Sequence, residues 1–167
     1  MTTAAIRHAS TPRFPALRTF FTNLVATNDD PAALVLRVAL GLVMFPHGAQ
    51  KLLGWFGGYG FAGTVGGFSS MHIPAAVTVL VIAIEFLGSI ALITGLFGRA
   101  AALGIIAVMS GAVFMVHLPN GFFMNWSGQQ AGEGFEYHAL VIAMAIAIMI
   151  RGSGAFSVDR ALSRNAR

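Results

Sequence analysis

The chain has 167 residues, of which 56% are hydrophobic and only 10% are charged. Soluble domains carry roughly 25% charged residues, so the composition excludes an ordinary soluble protein and indicates a membrane protein. The absence of cysteine excludes disulfides, thiol redox chemistry within the chain and Cys-ligated iron–sulfur clusters. The net charge of +4 comes from basic residues beside apolar segments, which predicts contact with anionic lipid headgroups rather than nucleic acid.

Residues 1–30 form a polar N-terminal segment that precedes the apolar part of the chain. Part of this segment has apolar side chains at the spacing of one helical face: Leu17, Phe20, Phe21 and Leu24. The spacing predicts a short amphipathic helix on the membrane surface, with a disordered tail as the alternative. At the end of the segment, Asp30 and Pro31 predict the N-cap and first position of a long helix.

Four apolar segments follow, over about 31–53, 74–97, 100–118 and 135–150, and the last is short for a bilayer. They predict an all-α fold, an integral membrane four-helix bundle over residues 31–151, followed by a basic tail over 152–167. Small residues recur every four positions on the fourth segment and predict close helix packing there: Ala139, Ala143 and Ala147.

The charge distribution predicts the orientation of the chain in the membrane. Four spans place both termini on the same side. Of the ten Lys and Arg residues, only Lys51 lies toward the opposite side. The positive-inside rule therefore predicts that both termini are cytoplasmic.

Two ionisable residues lie inside predicted spans, where such groups are costly and often functional. Arg37 lies about two turns into the first span, and Glu85 lies near the middle of the second. At 1.5 Å per residue their depths differ by roughly 9 Å, which an extended arginine can bridge. The two residues are therefore interpreted either as a structural ion pair or as a proton route, with Glu85 facing an internal cavity.

More polar residues gather at the ends of the spans away from the termini. His47 and Lys51 lie four residues apart on one helical face, and aromatic residues lie nearby. The set is His47, Lys51, Trp55, Phe56, His117, Glu136, Tyr137 and His138.

Three interpretations of this set are open. In the first, the residues form an ordinary interfacial belt. In the second, they line a pocket for a quinone or phenol with groups that exchange protons. In the third, they form a metal or haem site. The histidines lack the tight spacing of a metal motif, so no metal ligand is assigned.

Four stretches occur in a characteristic order: "RVALGLVMFPHGAQKLLGWFGGYG", "IAIEFLGSIALITGLFGRAAAL", "HLPNGFF" and "EYHALVIAMAIAIMIRGSGAFSVDR". Together they resemble the DoxX family of bacterial membrane proteins, which implies a location in the bacterial inner membrane. The resemblance covers residues 31–160 and implies a redox-related membrane protein, linked in some members to quinones and in others to soluble redox enzymes. The family's polar positions would fall on Arg37, His47, Gly48, Lys51, Glu85, His117, Asn120, Gly121 and Glu136, and its closing pattern on Gly152, Gly154, Ser157 and Asp159.

The preferred hypothesis is a redox-associated membrane subunit that binds a quinone or related aromatic compound. In it, His47, His117 and Glu136 exchange protons with the ligand, and Lys51 stabilises an anionic oxygen. The ligand is bound by Trp55, Phe56, Tyr137 and His138. The alternatives are a non-catalytic scaffold for a soluble redox enzyme and a small transporter or channel that uses Glu85. The expected partners are the lipid bilayer, a soluble redox enzyme and further copies of the chain.

Overall fold

The computed structural model describes residues 15–165, and over that range all of the regular secondary structure is helical. Residues 1–14, which include the first part of the predicted N-terminal segment, lie outside it, as do residues 166–167. The α-helices within the described range are α1 (Pro15–Val25), α2 (Pro31–Leu53), α3 (Gly60–Ser70), α4 (Ala75–Thr94), α5 (Gly98–Ala112), α6 (Glu136–Arg151) and α7 (Val158–Asn165). Helix α5 continues through a π-helical turn, Val113–His117, and a 3-10 turn, Leu118–Asn120.

Three helical segments are long and apolar enough to cross a membrane. They are Pro31–Leu53, Ala75–Thr94 and the continuous segment Gly98–Asn120, and they correspond to the first three predicted spans. Helix α6 has 16 residues, fewer than the roughly 20 that a membrane-spanning helix needs. The fourth span therefore stays a prediction.

The four longer helices pack in a closed ring, in which α2 contacts α4 and α6, and α5 contacts the same two helices. Glycines bring α2 and α4 together. A Cβ atom at Gly48 would lie 2.6 Å from Cα of Phe86, and one at Gly41 would lie 2.9 Å from the Ser89 carbonyl oxygen. Because glycine has no side chain, the backbones of α2 and α4 can approach each other closely.

The predicted alanine stripe is not the buried face of α6 in the described part of the chain. Ala139 and Ala143 are exposed and Ala147 is half-buried, whereas the buried face of α6 carries His138, Val141, Ala145 and Ile148. The packing prediction is wrong for Ala139 and Ala143, because four-residue spacing marks a face of a helix without showing where that face points.

The two ends of the described chain lie together. Helix α1 forms where the amphipathic pattern predicted it and packs against α7 and α5. Asp30 caps α2 as predicted, and its carboxylate accepts hydrogen bonds from the amides of Ala32 and Ala33. We call this end of the helical ring the terminal end and the opposite end the distal end. Which of them faces the cytoplasm stays a prediction.

Candidate functional site

Arg37 is bound entirely by backbone carbonyl groups at the terminal end. Its side chain is 1% exposed, and its guanidinium group donates five hydrogen bonds of 2.6–3.1 Å. The acceptors are the carbonyl oxygens of Leu92, Ile93, Ser153, Ala155 and Phe156. Leu92 and Ile93 belong to the last turn of α4, where helix carbonyl groups lack the usual partner four residues ahead, and the Leu92 carbonyl also accepts from the Gly95 amide at 3.3 Å. Arg37 therefore joins α2 to the end of α4 and to the segment after α6.

The predicted Arg37–Glu85 ion pair is wrong. The Glu85 carboxylate, which is buried, instead accepts from Nζ of Lys51 at 2.6 Å. Lys51 lies near the distal end of α2, with 24% of its side chain exposed. Arg37 instead has closer partners in the carbonyl groups at the end of α4, which helical depth alone does not reveal.

Four aromatic and imidazole rings form a line beside this ion pair at the distal end. The ring centroids of His47 and Tyr137 are 5.8 Å apart, those of Tyr137 and His138 are 5.5 Å apart, and those of His138 and His117 are 4.1 Å apart. His47 lies one helical turn before Lys51, on the same face of α2. We call His47, Tyr137, His138 and His117 the distal row. Contributions from α2, α6 and the π-helical turn after α5 meet in it.

His138 is the member of the distal row whose hydrogen bonding is incomplete. The residue is 7% exposed, and its Nδ1 atom is buried without a hydrogen-bond partner among the described residues. Its neighbours are better satisfied, because the Tyr137 hydroxyl donates to Sδ of Met44 at 3.4 Å and His117 Nδ1 lies 2.8 Å from the Glu133 carbonyl oxygen. Buried polar atoms in proteins are nearly always paired. The Nδ1 atom of His138 is therefore a position where a ligand or a water molecule can bind.

Glu136 shapes the loop before α6. Its carboxylate accepts a hydrogen bond from the Met124 amide at 3.1 Å, and the Glu133 carboxylate accepts one from the Asn125 amide at 2.7 Å. These bonds organise the loop that follows His117. The Glu136 side chain therefore has a structural contact. Its role in proton exchange stays a prediction.

Trp55 and Phe56 are not part of the distal row. They lie in the 3-10 turn after α2, are 54% and 63% exposed, and contact each other edge to face at 6.4 Å. Their exposure is typical of aromatic side chains at a membrane interface. Their predicted role in ligand binding would require them to act from the rim of the site.

A metal centre has little support in the described part of the chain. No group of three or more His, Asp or Glu residues among residues 15–165 is arranged to hold a metal ion. Of the three histidines in the distal row, His117 and His138 have ring centroids 4.1 Å apart, and His47 contacts Tyr137.

Asp159 has a structural role that sequence reasoning did not derive. It is 1% exposed, and its carboxylate accepts from the amides of Phe97 and Gly98 at 2.7 and 3.0 Å and from the Ser153 hydroxyl at 2.6 Å. Asp159 thereby caps the N-terminus of α5 from a distant part of the chain. The family's closing pattern was the only sequence signal for it.

The comparisons with known proteins agree with this architecture. The DoxX family model matches residues 32–118, just over half of the chain. The chain belongs to the DoxX family. It is 27% identical over 126 residues to "Putative oxidoreductase CatD" of Bacillus subtilis (strain 168), covering 75% of this chain and 83% of that protein. No solved structure is a significant match.

A second relative supports the location in the membrane. The chain is 26% identical over 136 residues to the inner membrane protein YqjF of Escherichia coli (strain K12), covering 81% of this chain and 95% of that protein. With its family and its apolar helices, this DoxX protein is a multi-pass protein of the inner membrane.

Proposed function

We propose that this DoxX protein is a redox-associated membrane subunit that binds a quinone or a related aromatic compound at the distal row. The observation that carries the proposal is the buried, unpaired Nδ1 atom of His138 within a line of rings. A quinone has a flat ring that packs against aromatic side chains and two oxygens that accept hydrogen bonds. One such oxygen would accept from His138.

The residues around His138 provide proton exchange. Reduction of a quinone to a quinol consumes two electrons and two protons, and imidazole groups are effective donors of those protons near neutral pH. His47 and His117 lie on either side of Tyr137 and His138, so a proton can reach the ligand from two directions. Lys51, held by Glu85, lies one helical turn from His47, where its ammonium group would donate a hydrogen bond to an anionic quinone oxygen.

The electrons would come from a soluble redox enzyme that docks on the membrane protein. The chain has no cysteine, and the residues described here offer no metal cluster. The name of CatD includes an oxidoreductase function, which supports a redox role for this relative. In the scaffold alternative the same docking occurs without a quinone, and the distal row is then only structural.

The transporter alternative has less support than the quinone site. It requires Glu85 to act as a carboxylate that binds and releases a cation or a proton near the middle of the membrane. The 2.6 Å contact with Lys51 already compensates this charge.

Quinone binding by the purified protein tests the proposal. Full-length protein in lipid nanodiscs would be titrated with ubiquinone-1 by equilibrium dialysis, for the native chain and for His138→Gln. His72→Gln is the matched control, because His72 is an exposed loop histidine. We expect binding that His138→Gln weakens at least tenfold and His72→Gln leaves unchanged. Absence of binding to the native chain, or equal effects of the two variants, would overturn the proposal.

A further inference from the structure

A polar cavity at the terminal end is independent of the distal row. It has a volume of about 710 Å³, is partly open, and is lined by α1, the loop before α2, the start of α2 and of α5, the end of α6, and α7. Its lining includes Thr27, Asp29, Asp30, Arg99 and Arg151. Neither the proposed quinone site nor the relatives' names assign a role to it.

The cavity lies at the depth of the lipid headgroups. Pro31, at its edge, is the first residue of the span formed by α2, and Arg99 is the second residue of the span that begins at Gly98. The ends of membrane-spanning segments lie where the hydrocarbon core gives way to the polar headgroup layer. A molecule in this cavity would therefore have its polar group among the phospholipid headgroups.

The charged side chains of the cavity lining, taken with their ion-pair partners, leave one positive charge in excess. Two carboxylates of the lining form ion pairs, Asp30 with Arg151 and Asp29 with Arg160, which lies outside the lining. Among residues 15–165 Arg99 has no carboxylate partner, and it donates to the carbonyl oxygens of Asn23, Ala26, Met149 and Ile150. Carbonyl groups satisfy its donors without cancelling its formal charge. The excess favours a ligand with a single negative charge.

Two side chains could contact such a ligand directly. Arg151 uses Nε for its ion pair with Asp30, and the side chain is 58% exposed, so its terminal nitrogens can bind a phosphate oxygen. The Thr27 hydroxyl accepts from the Gly154 amide at 2.7 Å, which leaves its own hydrogen available to donate.

Helix α1 adds an apolar surface next to the cavity. Thr22 and Ala26 connect it to the cavity lining, while Leu17, Phe20 and Phe21 are 55%, 61% and 48% exposed. Apolar side chains on a helix at this depth insert among lipid acyl chains. A soluble phosphate compound would make no use of them, so the combination favours a lipid.

We propose that this cavity binds the phosphodiester group of an anionic membrane phospholipid, with Arg151 and Thr27 as direct contacts and Arg99 as the source of the excess charge. The bound lipid holds α1 against the helical ring. This site functions whether or not the distal row binds a quinone.

Retention of defined lipids tests this proposal on the full chain. Protein in mixed micelles would be supplied with phosphatidylglycerol or phosphatidylcholine of the same acyl composition, and retained lipids would be counted by native mass spectrometry. We expect preferential retention of phosphatidylglycerol. Arg151→Gln, which leaves the Asp30 cap in place, should weaken it about fivefold, the effect of one basic residue near an anionic surface. Thr27→Val should also weaken it.

Two further arms make the result decisive. Arg164→Gln is the control, since Arg164 is an exposed arginine of α7 outside the cavity lining, and it should leave retention unchanged. Glycerophosphoglycerol, the deacylated form of phosphatidylglycerol, has the same phosphodiester without acyl chains and should not displace the lipid. Equal retention of the two lipids, equal effects of Arg151→Gln and Arg164→Gln, or displacement by glycerophosphoglycerol would overturn the proposal.

Discussion

The two ends of the helical ring use buried ionisable groups in opposite ways. At the terminal end, Arg37 and Asp159 are each 1% exposed, and each has several hydrogen-bond partners from separate segments of the chain. At the distal end, His138 is nearly as buried but has a ring nitrogen without a partner among residues 15–165. A buried polar group with all its partners stabilises the fold, whereas an incomplete one points to something outside the chain.

This difference predicts that variants at the terminal end affect stability, while variants in the distal row affect binding. The largest stability effect is expected for Arg37→Leu. It would leave the carbonyl group of Ile93 and those of the segment after α6 without a donor, at a cost of about 1–3 kcal/mol for each unpaired group. The free energy of unfolding in detergent should fall by at least about 3 kcal/mol. Arg164→Leu, at an exposed position, should change it by less than about 0.5 kcal/mol, and an equally small effect of Arg37→Leu would contradict the assignment.

The Lys51–Glu85 pair should show a smaller effect that depends on both partners. Glu85→Gln leaves the Lys51 ammonium group partly buried without its counter-charge, and the free energy of unfolding should fall by about 2 kcal/mol. Because the penalty comes from the unpaired charge, the double variant Lys51→Met/Glu85→Gln should recover part of it. A double-mutant cycle measures this coupling, and strictly additive effects would show that the pair is not coupled.

The pH dependence at the terminal end should follow Asp30. The hydrogen bond from Arg151 lowers the pKa of Asp30 below its ordinary value, with a further contribution from the amides of Ala33 and Ala32. Because the pKa is lower in the folded state, this stabilisation is present above the unfolded-state pKa of about 3.9. It is lost as the pH falls through the folded-state pKa.

The matched variant for this effect is Asp30→Asn, which keeps a side chain that can cap α2. It should flatten the loss of stability below about pH 4. The measurement is the midpoint of unfolding as a function of pH for the two proteins. If the variant and the native chain showed the same dependence of the unfolding midpoint on pH, another group would be responsible.

The smallest effect on stability is expected for His138→Phe. The substitution removes a buried polar atom that has no partner and keeps a ring of similar shape, so the free energy of unfolding should change by less than about 1 kcal/mol or increase. His117 would keep its contact with the Glu133 carbonyl group. A decrease in the free energy of unfolding larger than about 3 kcal/mol would show that His138 has a structural role like that of Arg37.

The sequence predicted the features that depend on local patterns. Three apolar spans, the Asp30 cap and the helical nature of residues 15–25 are confirmed, because hydropathy, capping and amphipathic spacing act within a few turns. The sequence also predicted that His47, His117 and His138 lie at the same end of the spans. The proximity of these side chains followed from their depth in the spans alone.

The features that depend on rotation about helix axes or on distant backbone groups were not predictable in this way. Arg37 binds carbonyl groups more than 50 positions away in sequence, and no pattern in the sequence marks a carbonyl group as unpaired. The contact between Lys51 and Glu85 required knowing which face of α4 turns toward α2. The same ambiguity misplaced the alanine stripe of α6.

The central claim, that the distal row is a binding site and not a structural element, is tested most directly by the effect of ubiquinone-1 on unfolding. A ligand that binds only the folded protein stabilises it by about 2.7 kcal/mol at a concentration of 100 times its Kd. We predict that ubiquinone-1 raises the unfolding midpoint of the native chain and leaves that of His138→Phe unchanged. An equal rise in both proteins, or none in the native chain, would contradict it.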